Sequence, residues 1–370
     1  MTNKTNTSNG DSHGSRDILC LAPNAAYQVT VLFDSLSLGH VNRATQQTNS
    51  LGGKGQNFAV AMHEYYGTAK RVTLLQILGG PTGMQIEAME AALGFDFITV
   101  RTGLATRTCT TCLDKSTGQM TEMVGVSGAI DCESEYVRIA TELLQSKEQS
   151  PPKALALCGT FPPGLRSTAV AQIVTAKMPG TLVFVDAVQD IQPVLATQCI
   201  DILKVNSAEV LSILSNVDST YEGKEPHEVD LAKAASALAS RYSIETVAVT
   251  DGPSTAYLAS TDACYAFSIP DLLADRKHFL GSVASDTGEL VLNPLGAGDT
   301  CSAIMLNHLL EGTPMAEAFA LGLAAASASC LVLMPNCVFD RSVMARIRDR
   351  ITVTKLPTQE TYSSQFSKLN

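Results

Sequence analysis

An α/β fold built on a mostly parallel sheet is the class that this sequence predicts. Short apolar runs alternate with stretches of helical periodicity, which is the pattern of repeated βαβ units. Gly or Pro punctuates most of the joins between them. The chain has 370 residues, 45% of them hydrophobic, enough for one large core, and no linker is long enough to divide it.

Along the chain, 1–16 is polar and reads as a disordered tail before a single domain at 17–355, with 356–370 as a C-terminal tail. Apolar runs at 18–22, 71–78, 154–158, 181–186, 202–205 and 245–250 predict strands, each short and rich in Val, Ile or Leu. Helical periodicity covers 55–66, 83–93, 133–146, 167–177, 207–214, 229–241, 299–311 and 315–333. Residues 28–50 and 96–126 instead alternate like extended segments, with 114-DKSTG-118 as a hairpin turn. They predict a small second β-sheet standing off the main one as a lid. The weakly periodic stretch 271–289 reads as a long surface loop.

The net charge is −10 and no long basic run occurs, which argues against a nucleic-acid partner. Ten cysteines lack a repeating spacing, and Cys109 and Cys112 fall on opposite sides of an alternating run, so buried thiols are expected rather than a metal pair. The start carries no signal peptide, and a reduced, cytoplasmic setting follows as the default. The segment 315-MAEAFALGLAAASASCLVLM-334 approaches a bilayer span in length. It carries Glu317 and is rich in Ala and Ser, so it predicts a small-residue helix packed closely on the sheet, with no membrane partner.

Two stretches carry chemistry. In 293-NPLGAGDTCSAIMLNHLLEG-312, two glycines and an acid run directly into a helix. The first amides of a helix lack intrahelical partners and, with the helix dipole, attract negative charge. Gly296 and Gly298 let that backbone approach a ligand, Ala297 lies between them, and Asp299 stands where it could take a proton from an attacking hydroxyl. The plainer reading is that Asp299 or Thr300 caps the helix. In 51-LGGKGQNFAVAMHEYYG-67, glycines again enter a helix, now with Lys54 and Asn57. No G-x-x-x-x-G-K-[ST] occurs, which excludes a P-loop, and 296-GAGDTC-301 lacks the third glycine of a dinucleotide fingerprint.

The two stretches resemble the two signatures of the PfkB (ribokinase-like) carbohydrate kinase family, closest to its 1-phosphofructokinase and tagatose-6-phosphate kinase branch. Six further stretches resemble other motifs of the family, in family order: 24-NAAYQVTV-31, 40-HVNRA-44, 106-TRTCTTCLD-114, 158-CGTFPPGL-165, 204-KVNSAE-209 and 250-TDGPST-255. The resemblance implies a three-layer α/β/α sandwich with a β-sheet lid, and ATP-dependent phosphorylation of a sugar monophosphate with Mg²⁺. It implies Asp299 as general base and the 296–299 backbone as anion hole. Asn24, Gln28, Gly52, Gly53, Asn57 and Gly159 would meet the sugar, while Arg43, Lys54 and Arg107 would converge on its phosphate. Lys204, Asn206, Thr250, Gly252 and Gly298 would border the nucleotide, with Ala324 to Ser329 along the adenine slot. Asn206 and Glu209 would hold Mg²⁺ through water. A homodimer through the lid sheet is a further family expectation.

The chain departs from the family pattern at Gln28, where an Asp is expected, and at Thr255, where a glycine is expected. Gln is longer and neutral, so it alters the sugar contact. Two alternatives follow: a degenerate protein that binds sugar phosphate or nucleotide without turnover, and a kinase for an unphosphorylated sugar.

Overall fold

The computed structural model describes residues 17–67, 71–146, 150–186, 189–280 and 291–357. In chain order its strands are β1 (Ile18–Ala22), β2 (Ala26–Phe33), β3 (Gln46–Gly52), β4 (Val72–Leu78), β5 (Asp96–Arg101), β6 (Thr108–Asp114) and β7 (Met120–Val124). There follow β8 (Ala154–Cys158), β9 (Leu182–Asp186), β10 (Ile202–Asn206), β11 (Thr246–Thr250), β12 (Ala256–Ser260), β13 (Cys264–Ser268) and β14 (Thr352–Leu356). The helices are α1 (Lys54–Tyr66), α2 (Gly80–Ala92), α3 (Glu133–Leu144), α4 (Ser167–Thr175), α5 (Gln192–Leu195) and α6 (Ser207–Ser215). The remaining five are α7 (Leu231–Tyr242), α8 (Arg276–Leu280), α9 (Ala297–Leu310), α10 (Met315–Cys330) and α11 (Arg341–Arg348).

The main sheet runs β14-β13-β12-β11-β10-β9-β8-β1-β4-β5. It is parallel from β11 to β5 and antiparallel at the β12, β13 and β14 edge. β1 and β8 are buried at every position, as central strands covered on both faces must be. Their side chains alternate between two cores. Cys20, Ala22, Ala154 and Ala156 face a layer containing α1, α9 and α10, whereas Leu19, Leu21, Leu155 and Leu157 face α3, α4, α6 and α7. Small residues on the first face let helices approach closely. A Cβ on Gly322 of α10 would lie 2.7 Å from the Cys301 carbonyl oxygen of α9, so that crossing needs glycine. α10 is thus the buried small-residue helix that its composition predicts, and no helix among the described residues is long and apolar enough to cross a membrane.

The second sheet runs β3-β2-β6-β7. The hairpin between β6 and β7 closes at 114-DKSTG-118, where Asp114 accepts bonds from the backbone and hydroxyl of Ser116 and Gly118 is left-handed at φ +68°. Gln28, Cys109 and Val124 pair across this sheet and face the main domain.

Several sequence expectations are corrected. Residues 96–101 belong to the main sheet, paired in parallel with β4, because β5 supplies its last parallel edge. The 271–289 stretch contains α8, docked through buried Phe279, whose carbonyl accepts two bonds from Arg346 of α11; five residues are too few to show a period. The rest of that stretch, 281–289, lies outside the described residues, as does 1–16. Leu356, placed in the C-terminal tail, ends strand β14. β12, β13 and α11 have no counterpart among the elements read from the sequence.

Candidate active site

A cleft of about 460 Å³ opens at the carboxyl ends of β1, β8, β9, β10 and β11, under the lid sheet. The chain reverses direction across the sheet at the β1–β8 junction, and crevices form at such switch points. The cleft is lined by Asn24, Gln28, Gly53, Lys54, Asn57, Arg107, Gly159, Lys204, Asn206, Glu209, Thr250, Gly296, Gly298 and Asp299, all anticipated from the sequence. Thr160, Asp186 and Glu122 line it as well and were not anticipated.

Asp299 sits in the first turn of α9 and is 7% exposed. Its Oδ2 accepts a 2.7 Å bond from Asn57 Nδ2. Asn336 donates to Asn57 Oδ1 at 2.7 Å, and Ser50 donates to Asn336 at 2.8 Å, so the chain of bonds turns the Asn57 amide group toward the acid. Burial raises the Asp299 pKa, and the negative charge of Asp186 raises it further. Lys54, the Asn57 bond and Lys204 pull it back, leaving it at about 7. A carboxylate poised there can act as a base at neutral pH.

The plainer reading of Asp299 as a helix cap does not hold. The N-cap is Gly296, left-handed at φ +76°, with no side-chain cap bond. Ala297 does not line the cleft, and its amide donates to the Pro294 carbonyl at 3.1 Å. The amides of Gly298 and Asp299 remain as first-turn donors without intrahelical partners. Lys204 Nζ lies 3.3 Å from where a Gly298 Cβ would stand, so a cation and the start of α9 address the same small volume. Backbone N–H groups, a helix dipole and an ammonium all favour negative charge there.

Lys204 is buried, and its charge is held by Asp186 at 3.2 Å. Asp186 also pairs with Lys54 at 2.7 Å and accepts a bond from Ser302. Burial alone would raise the Asp186 pKa, but Lys204, Lys54 and those bonds hold it below the usual carboxylate range. Burial opposes the Lys54 charge, yet Asp186, Glu209 and Asp299 together raise its pKa. Asp186 ends a strand predicted from its apolar run; an acid at the carboxyl end of a parallel strand is the signal that could have found it.

The three cations expected to converge do not. Arg43 is exposed on the connection between β2 and β3 and does not line the cleft. Lys54 reaches Asp186 and, at 3.3 Å, Glu209, because those acids lie nearer than the lid. Arg107 alone of the three faces the lid end of the cleft, anchored by one bond to the Asn24 carbonyl. No acid among the described residues pairs with it.

Other expected contacts are rearranged. Gly52 is buried behind Gln28, where a Cβ would meet the Gln28 Cβ at 2.9 Å, so it serves packing. Gln28 donates to Thr111 at 3.0 Å. Asn24 is occupied by Thr160 and Ser127. Gly252 and Ala324 to Ser329 are absent from the described lining, the latter being packed into α10. Asn206 and Glu209 form a capping box at the start of α6. Their oxygens suit a hard cation, but each carboxylate of the pair Glu209 and Asp186 already meets an ammonium. Among the described residues no group of three His, Cys, Asp or Glu side chains is placed to hold a metal ion.

The sequence profile described as "pfkB family carbohydrate kinase" matches residues 24–335. A tagatose-6-phosphate kinase from Staphylococcus epidermidis is 26% identical over 296 residues, covering 80% of this chain and 86% of that protein. Among solved structures, phosphofructokinase-2 from Escherichia coli in complex with substrates and products superposes with a TM-score of 0.71 at 21% identity, covering 90% of this chain and 98% of the other. Ribokinase from Thermotoga maritima gives 0.63 at 18% identity, covering 90% and 99%.

Proposed function

The chain belongs to the pfkB family of carbohydrate kinases, and from that premise we propose that it transfers a phosphoryl group from ATP to a hydroxyl of a sugar monophosphate, with Asp299 as general base. One observation carries this reading: Asp299, the free amides at the start of α9 and Lys204 converge on one small volume of the cleft. Asp299 takes the hydroxyl proton as the oxygen attacks the γ-phosphorus; the bond to the bridging oxygen breaks and ADP leaves. The Gly298 and Asp299 amides and Lys204 stabilise charge on the transferring group. Mg²⁺, when bound, neutralises the phosphates, and Asn206 and Glu209 would hold its waters. That help is needed, because Asp186, Glu209, Glu122 and Asp299 outnumber Lys54, Lys204 and Arg107 in the lining. Gln28 Oε1 and Asn57 address sugar hydroxyls. Arg107 receives the acceptor's own phosphate, in keeping with the tagatose-6-phosphate kinase relative.

A second reading, a kinase for an unphosphorylated sugar, gains from the outward position of Arg43 and the pairing of Lys54. ADP formation with fructose 1-phosphate, fructose 6-phosphate, tagatose 6-phosphate, fructose, ribose and adenosine separates the two. Arg107→Glu is expected to cost phosphosugar turnover about 10²-fold or more in kcat/KM, the scale of a lost and reversed charge-assisted contact, while sparing a neutral acceptor. No ADP with any acceptor would sink both readings and favour a binding protein without turnover.

The pH dependence follows from the Asp299 environment. The base must be deprotonated, so kcat/KM is expected to rise between pH 6 and 8 with a midpoint near the Asp299 value of about 7, then level off. A flat profile across that range would remove Asp299 from the role.

A further inference from the structure

Three polar side chains run in series through the apolar core beneath the cleft. Gln56 of α1, Gln76 of β4 and Glu90 of α2 are 1%, 0% and 0% exposed. Gln56 Nε2 donates to Gln76 Oε1 at 2.7 Å, and Gln76 Nε2 donates to Glu90 Oε2 at 2.6 Å and to Thr99 at 3.3 Å. Gln56 Oε1 and Glu90 Oε1 are buried without a partner. A polar chain left open at both ends costs stability relative to apolar residues of the same shape, so packing alone gives it no purpose.

Its upper end explains it. α1 begins at Gly53, which offers no side-chain cap, yet the first turn of α1 carries Lys54 and Asn57. Gln56 lies between them, and its Oε1 stands 3.0 Å from where a Gly53 Cβ would be. On the kinase reading above, we infer that Glu90 is a positioning residue: through Gln76 and Gln56 it holds the first turn of α1, and so sets the Asn57 bond to Asp299.

Glu90 performs this role as a neutral acid. Burial raises its pKa, the Gln76 bond lowers it and Glu87 raises it, leaving it at about 8. The titratable and charged groups on the surrounding elements are Glu87 of α2, paired with Arg101 of β5, Asp96 of β5, Tyr27 of β2, and Lys54, His63, Glu64, Tyr65 and Tyr66 of α1; β3 and β4 carry none. A folded-state pKa above the unfolded one means that the stability tied to the proton is lost as pH rises toward 8. Above that pH the ionised carboxylate must draw in water, and the first turn of α1 loosens.

Hydrogen–deuterium exchange of the full chain tests this without any substrate. At pH 7, Glu90→Gln should leave exchange of amides 57–60 as in the native protein, while Glu90→Met should speed it about tenfold, with β8 unchanged. From pH 7.5 to 9, the native protein should gain exchange at 57–60 beyond the intrinsic rise, and E90Q should not. Should Glu90→Met fail to fold, this pH comparison still decides the matter. With an active acceptor, E90M should lose about tenfold in kcat at little change in the KM for ATP, the pattern of a displaced base. Equal pH responses in the native protein and E90Q, or E90Q as damaging as a folded E90M, overturn the proposal. If no acceptor turns over, the kinase reading fails while the exchange result still stands by itself.

Discussion

Replacing Asp299 with Asn is expected to lower kcat/KM by about 10²–10⁴-fold, the usual worth of a positioned general base. The fold should survive. Asn at 299 still presents an oxygen to Asn57 Nδ2, the bond that Asp299 now accepts at 2.7 Å. Stability should even improve at high pH. The pKa of Asp299 is raised in the folded protein, so the stability linked to its proton is lost as pH climbs through about 7. An uncharged Asn suffers no such loss. A melting temperature at pH 8 equal to or above that of the native protein, alongside the collapse in turnover, would separate catalysis from folding. Retained turnover in a folded D299N protein would be fatal to the proposed base.

Gly296→Ala is expected to damage both stability and activity. Gly296 is left-handed at φ +76°, a conformation that costs a residue with a Cβ about 1–2 kcal/mol. The added Cβ would also stand 2.2 Å from Cys337 Sγ and 3.4 Å from Asn57 Nδ2. Cys337 cannot simply retreat, since it is buried, left-handed at φ +62°, and bonded through its thiol to the Gly296 carbonyl. Overpacking of this kind costs about 1–3 kcal/mol more, and any relief moves the start of α9 and its free amides. Denaturant unfolding should show the loss. Adding Cys337→Ala should return part of it, with a coupling of about 0.5–3 kcal/mol as expected for residues in contact. Strict additivity would show that the two do not collide.

Much of the site could be read from local pattern. The glycine-to-helix junctions at 51–57 and 293–300 need φ values and close approaches that only particular residues allow, so their positions along the chain betray them. The strands 18–22 and 154–158 are apolar throughout because both faces are buried, a signal carried by each residue singly. Elements whose identity depends on partners were harder to read. β14 is an exposed edge strand and β13 and β12 lie just inside it, held by pairing with their neighbours, α8 is five residues long, and 96–101 reads as extended whether it joins the lid or the main sheet.

The amino-acid sequence by itself determined the α/β class, the family and the glycine-flanked acid at the start of α9, because hydrophobic period and glycine placement act over a few residues. Only the tertiary structure decided where the charges go. Arg43, Lys54 and Arg107 are equivalent cations until the chain folds, and then Lys54 meets Asp186, Arg43 meets solvent and Arg107 meets the cleft. The pKa of Asp299 was likewise undetermined until burial and Asp186 acted on it. Electrostatic interactions depend on distance and solvent exposure between segments more than a hundred residues apart, and those are properties of the packed chain alone.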